Sequence, residues 1–189
     1  LDSRPVQVYL KFQQSVSEIL QSINRKETRV MSAKSIHAGP GEGAAYSGVG
    51  DVYRILATGE QTGGAYTLAE ARVSPDNGPP PHIHHREDES FFVLEGEVTF
   101  QLGDRPVKCT PGSFVQGPRG IPHAFKNTGK TPARLLVYVT PPGFEHFLKE
   151  FATPLPSFAS PPQPVTPQDI EKLLAVAPKF GIEILPPPK

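Results

Sequence analysis

The 189-residue chain has a single cysteine, Cys109, so it can form neither an intrachain disulfide nor a cysteine-based zinc site. An excess of either charge is also missing, since 19 Lys and Arg balance 19 Asp and Glu. A dedicated nucleic-acid binder normally carries a basic excess, so the balance argues against nucleic acid as a partner. No apolar run approaches the roughly 18–20 residues needed to cross a bilayer. The first twenty residues set Asp2, Arg4, Lys11 and Glu18 among their apolar positions, without the continuous apolar stretch of a secretory signal. The expected location is therefore cytoplasmic, with no membrane partner. The one methionine is Met31. A start there would leave the strand-rich region whole, so residues 1–30 read as a processed or upstream extension.

Proline (23) and glycine (17) are abundant, about a fifth of the chain against roughly 12% in average usage. Such a chain turns often, which favours short strands. Three regions follow. Residues 1–36 form an N-terminal helical extension, because Phe12, Val16, Ile19, Leu20 and Ile23 recur at three- and four-residue steps and predict an amphipathic helix over Gln7–Arg25. Residues 37–151 hold short apolar segments punctuated by turns such as Asp76-Asn77-Gly78, Gly103-Asp104 and Pro111-Gly112. That pattern predicts an all-β barrel or sandwich. Residues 152–189 carry ten prolines and predict a wrap around the barrel with one helix over Thr166–Ala177, opened by Thr166 as N-cap and Pro167 behind it. A further helix over Gly143–Phe151 and a terminal strand over Ile182–Leu185 are also expected.

Three of the six histidines fall in a pattern with a physical reading. His82 and His84 are two apart, so on a strand they share a face that Ile83 and His85 do not. Glu89 follows five residues after His84, and if it faces the pair then Phe91 and Val93 share its inward side. His123 is a fourth donor, beyond two more strand segments. Neutral imidazole and carboxylate suit iron, nickel, copper, manganese, cobalt or zinc. Three histidines and one glutamate would leave positions open on a divalent ion for water, dioxygen or a chelating substrate.

These residues resemble the two motifs of the cupin superfamily. The second motif is matched throughout: Gly112, five residues, Pro118, one residue, Gly120, two residues, His123, three residues, Asn127. The first is matched from His82 through His84 and Glu89 to Gly96, and departs only upstream, where Gly78 stands four positions before His82 rather than six. The resemblance implies a cupin β-barrel of the jelly-roll type, with short terminal helices, and His82, His84, Glu89 and His123 as metal ligands. Over about residues 40–186 the chain is similar to single-domain cupins grouped with quercetin 2,3-dioxygenase, notably in Pro79–Glu89, Pro141–Phe147 and Ala177–Leu185. That similarity implies a metal-dependent oxygenase acting on a flavonol-like or enolisable small molecule, with Glu89 as ligand or general base. A non-catalytic small-molecule binding module, or a cupin isomerase or decarboxylase, fits the same four residues. Small cupins often pair, so a homodimer is expected, formed through residues 7–25 or the outer strand faces.

Other residues carry plainer expectations. His85 should point away from the cluster, toward Glu87 or Asp88. His146 should lie on the surface, His37 should sit uninvolved in a polar, flexible lead-in, and Arg86-Glu87-Asp88 should be a solvated turn. Asn127 should serve a turn, and Cys109 should be a small strand residue. Phe91, Val93, Phe100, Phe114, Phe125 and Tyr138 are candidates for the barrel interior. In the last long strand Leu135, Val137 and Val139 compete with Leu136 and Tyr138 for the inward face.

Overall fold

A computed structural model describes residues 13–16, 18 and 35–186. Two compact units divide the chain, Leu1–Ala33 and Lys34–Lys189. In the first, Gln13–Val16 and Glu18 are helical and exposed. The rest of the expected helix over Gln7–Arg25, including Phe12, Ile19, Leu20 and Ile23, lies outside the described residues.

The second unit is built from two antiparallel sheets. One has seven strands: β1 (Ala45–Gly48), β2 (Asp51–Ala57), β3 (Thr67–Val73), β5 (Asp88–Glu95), β8 (Phe114–Gly117), β10 (Ala133–Thr140) and β11 (Thr153–Leu155), in the order β11-β1-β2-β3-β10-β5-β8. The other has five: β4 (His82–His84), β6 (Val98–Leu102), β7 (Arg105–Cys109), β9 (His123–Asn127) and β12 (Ile182–Ile184), in the order β12-β4-β9-β6-β7. β1 and β11 were not expected from the sequence. They pair with each other, so the C-terminal segment contributes a strand to each sheet.

Period-two alternation places the core between the sheets. On β10 the inward residues are Leu135, Val137 and Val139, while Leu136 and Tyr138 face out. On β5, Glu89, Phe91 and Val93 face in, as their spacing predicted. Phe91, Phe100 and Phe125 form one ring cluster with centroids 5.0–5.4 Å apart. Each such ring pair adds about 0.5–1.5 kcal/mol beyond the area it buries. Phe114 and Tyr138 depart from expectation. Val115 takes the inward position on β8, which turns Phe114 outward, and the same alternation turns Tyr138 outward on β10.

Two helices follow the barrel. The first, α1 (Phe144–Phe151), buries Phe147, Leu148 and Phe151. The second, α2 (Pro167–Val176), opens with a capping box between Thr166 and Asp169 and with Pro167 in its first turn. A short 3-10 turn (Ala177–Phe180) and the left-handed Gly181 then lead into β12, which pairs with β4. The C-terminal wrap is thereby tied to the strand that carries His82 and His84. No helix among the described residues is long and apolar enough to cross a membrane.

Candidate metal centre

The two sheets bring four donors together. β4 supplies His82 and His84, and its pairing with β9 sets His82 opposite His123. Glu89 comes from β5 in the facing sheet, opposite Gly117 of β8. All four are buried, and their candidate ligand atoms lie within 4.8 Å of one another. Glu89 Oε2 is 3.1 Å from His123 Nε2, 3.3 Å from His84 Nε2 and 3.7 Å from His82 Nε2. Adjacent donors about 2.1 Å from a common ion stand roughly 3.0–3.4 Å apart, so the His123 and His84 distances fit one ion and His82 stands slightly wider.

The outer ring nitrogens support that fit. His82 Nδ1 is 2.8 Å from the Pro80 carbonyl, and His123 Nδ1 is 3.0 Å from the Ile121 carbonyl. A carbonyl only accepts, so each Nδ1 carries the proton and each Nε2 is left with its lone pair toward the cluster. His84 Nδ1 lies 3.3 Å from Glu87 Oε2, which does the same for the third ring. Such outer partners orient imidazole ligands and raise their basicity. Without an ion the same groups form charged pairs, which an entering metal ion would replace. Burial opposes ionisation of Glu89, yet His84, His123 and His82 hold its carboxyl well below the usual range. Burial lowers the pKa of His82. It also disfavours a charged His84, but Glu89 and Glu87 raise that imidazole to about 9.

His82, His84, Glu89 and His123 are therefore brought together as the spacing predicted, and could hold a metal ion. His85 points outward and is exposed; its Nε2 meets Glu183 Oε2 at 2.9 Å, rather than Glu87 or Asp88. His146 and His37 lie on the surface. Asn127 is fully buried and latches a turn, donating from Nδ2 to the Val73 and Thr131 carbonyls and accepting from Gly129 N. Cys109 is buried on β7.

The charged run Arg86-Glu87-Asp88 is not a solvated turn throughout. Glu87 is buried against His84, while Asp88 bonds Arg119 through both its backbone N and its guanidinium. A signal for Glu87 was present, since it stands two residues before Glu89 and so shares its inward face. Gly117 was also missed. A Cβ there would fall 2.9 Å from His123 Nδ1, so only glycine lets the ring sit against β8. At Gly78 a Cβ would meet the Phe125 carbonyl oxygen at 2.0 Å, which accounts for glycine at the shortened motif position.

The cluster opens into a cavity of about 60 Å³. Barrel residues Tyr53, Phe91, Phe125 and Val137 line it from one side, and the C-terminal segment closes it with Phe144, Phe147, Leu173 and Ile182 among others. The cavity is much smaller than the roughly 300–1,000 Å³ of pockets that hold drug-sized ligands.

Residues 69–139 match the family described as Cupin domain. The chain belongs to the cupin superfamily. This cupin is 23% identical over 113 residues to quercetin 2,3-dioxygenase of Bacillus subtilis, covering 60% of this chain and 33% of that protein. It is 36% identical over 77 residues to germin-like protein subfamily 2 member 2 of Arabidopsis thaliana, covering 37% of this chain and 34% of that one. It thus spans about a third of the length of these curated relatives. Among solved structures, a predicted oxalate decarboxylase from Thermotoga maritima superposes with a TM-score of 0.50 at 19% identity, over 56% of this cupin and 97% of that chain. At that identity the likeness establishes the fold alone.

Proposed function

We propose that this cupin is a metal-dependent oxygenase of the quercetin 2,3-dioxygenase-like kind, acting on a small enolisable or flavonol-like molecule. The observation that carries the proposal is the convergence of three imidazole Nε2 atoms and one carboxylate beside a small, mostly apolar cavity that His82, His84 and Glu89 line. Similarity to the Bacillus subtilis quercetin 2,3-dioxygenase over 60% of the chain supports it. His82, His84, His123 and Glu89 would hold one divalent ion: iron, nickel, manganese, cobalt, copper or zinc. When bound, that ion supplies a Lewis acid for an enol or hydroxyl oxygen and open positions beside it. The protein's residues do the rest. Outer partners fix the three rings with Nε2 toward the cluster. Glu89 would either complete the ligand set or leave the ion and act as general base for the substrate hydroxyl. The phenylalanine-lined walls exclude water that would otherwise return a proton to the substrate anion.

Cavity size favours the smaller enolisable substrates. A molecule as large as a flavonol requires α1, α2 and β12 to move aside. Oxygen uptake by metal-loaded protein, measured with a panel of diketones and flavonols, tests the proposal. Uptake with at least one of them is expected. Tight binding without turnover would instead make the protein a binding module, and product formation without oxygen uptake would make it an isomerase or decarboxylase.

We further propose a homodimer formed through the outer face of the seven-stranded sheet. Phe92, Phe114 and Tyr138 are 41%, 65% and 38% exposed there. Phe92 stands opposite Phe114 on one side and Leu136 on the other, which makes a continuous apolar row across three strands. Light scattering at micromolar concentration should give twice the chain mass, and Phe114→Glu should halve it. A wild-type monomer would end the proposal.

A further inference from the structure

Tyr53 is the one polar side chain lining the cavity, among the described residues, that is not part of the four-donor cluster. It stands on β2, where alternation turns it inward, and it is 8% exposed. Its ring meets Phe144 of the C-terminal cap edge-on, with centroids 6.2 Å apart. Its hydroxyl makes no hydrogen bond to any described residue, and it is not fully sealed off but keeps some accessible surface. Buried tyrosine hydroxyls normally find a partner, because an unmet donor in an apolar setting is unfavourable. A phenol keeps its proton at neutral pH, so this hydroxyl remains a donor.

The charge balance of the chamber restricts what that donor can meet. No lysine or arginine lines the cavity among the described residues. Glu89 and the buried Glu87 together already balance a divalent ion, so the charge a ligand brings is not offset, and a monoanion adds half the excess of a dianion. A dianion would leave the larger net negative charge in an apolar chamber without a protein cation, which is costly.

We infer that Tyr53 orients the substrate: its hydroxyl donates to an oxygen of a small monoanionic chelator, an enolised diketone or hydroxyketone, a class that the charge of the chamber favours over dianions such as oxalate. This rests on the reading of the cluster as a metal site that takes a chelating substrate. Tyr53 is a specificity residue rather than a metal ligand, so its loss should leave the ion in place.

The test uses cobalt(II)-loaded full-length protein, whose visible absorption reports new donors, under anaerobic conditions. Acetylacetone and imidazole are titrated into wild type and Tyr53→Phe. Imidazole has no oxygen to accept from the phenol. The variant should hold the same amount of cobalt and bind imidazole as wild type does. Its affinity for acetylacetone should fall about tenfold, or about 1.4 kcal/mol. Equal acetylacetone affinities would overturn the role of Tyr53 while leaving the oxygenase reading intact. An equal loss for both probes would show that the phenol only packs, and would overturn it too. Relative to their affinities for free cobalt, oxalate binding more tightly than acetylacetone would overturn the charge selection. If wild-type protein holds cobalt but binds no acetylacetone, the chelating-substrate reading fails and this inference with it.

Discussion

Replacing Glu87 by alanine should weaken metal binding while leaving every candidate ligand in place. Glu87 is buried, and its Oε2 lies 3.3 Å from His84 Nδ1. With an ion bound, that contact keeps the proton on Nδ1 and leaves the Nε2 lone pair to the metal. Without it, His84 can adopt the other tautomer or rotate, and its Nδ1 is left buried without an acceptor. His82 and His123 are held by the Pro80 and Ile121 carbonyls, which the substitution does not touch. One ring of three is therefore loosened. Loss of such an outer partner typically costs 10- to 100-fold in metal affinity, or about 1.4–2.8 kcal/mol. The 3.3 Å separation exceeds the usual hydrogen-bond distance of about 2.9 Å, which places the expected loss near tenfold. Glu87→Gln retains an oxygen that can accept from Nδ1–H and should recover most of the affinity. Competition against a chromogenic chelator measures all three proteins. An alanine variant within twofold of wild type would refute the reasoning. A glutamine variant as weak as alanine would show that the charge of Glu87, not its hold on the tautomer, matters.

Three other perturbations follow from the same geometry. Gly117→Ala sets a Cβ about 3 Å from three atoms of the His123 ring, which is only 2% exposed and has nowhere to yield; metal affinity should fall at least about tenfold with the circular dichroism spectrum unchanged, and full affinity would contradict the close approach. Burial raises Asp51 from 3.8 to about 6, despite hydrogen bonds from Asn77 and Ser74. Its folded pKa therefore lies above its unfolded one, so its contribution is most favourable below about pH 4 and is lost as pH rises through 6. Ionised Asp51 costs about 3 kcal/mol at pH 7; Asp51→Asn should gain up to that amount in urea melts at pH 7 and nothing at pH 3.5, and a gain independent of pH would contradict the assignment. His85→Ala should leave metal affinity within twofold of wild type in the chelator competition, because His85 faces solvent and pairs with Glu183; a tenfold loss would place it in the cluster.

The four donors were legible because strand period and motif spacing agree. His82 and His84 share a face by alternation alone, and His123 is placed by the glycines and proline that shape its own turn. Glu87 was hidden by its neighbours Arg86 and Asp88, which made a charged run look uniformly solvated although alternation from Glu89 already turned it inward. The facing of β8 and β10 was not legible, because Phe114–Val115 and Leu135–Val139 carry apolar residues on both faces and only pairing decides between them. The apolar stripe of α1 could be read, but not what it covers. That depends on β12 pairing with β4 across about a hundred residues of chain. Tyr53 lay within an expected strand, with nothing local to mark it as the hydroxyl left unpartnered inside.

Metal stoichiometry tests the central claim most directly. Protein stripped with a chelator, reloaded with each divalent ion in turn and passed through a desalting column should retain one ion per chain for at least one metal. His84→Ala and His123→Ala should retain little, and His85→Ala should retain as much as wild type. No retained ion in the wild type, or the same amount in all four proteins, would contradict a metal centre at His82, His84, Glu89 and His123.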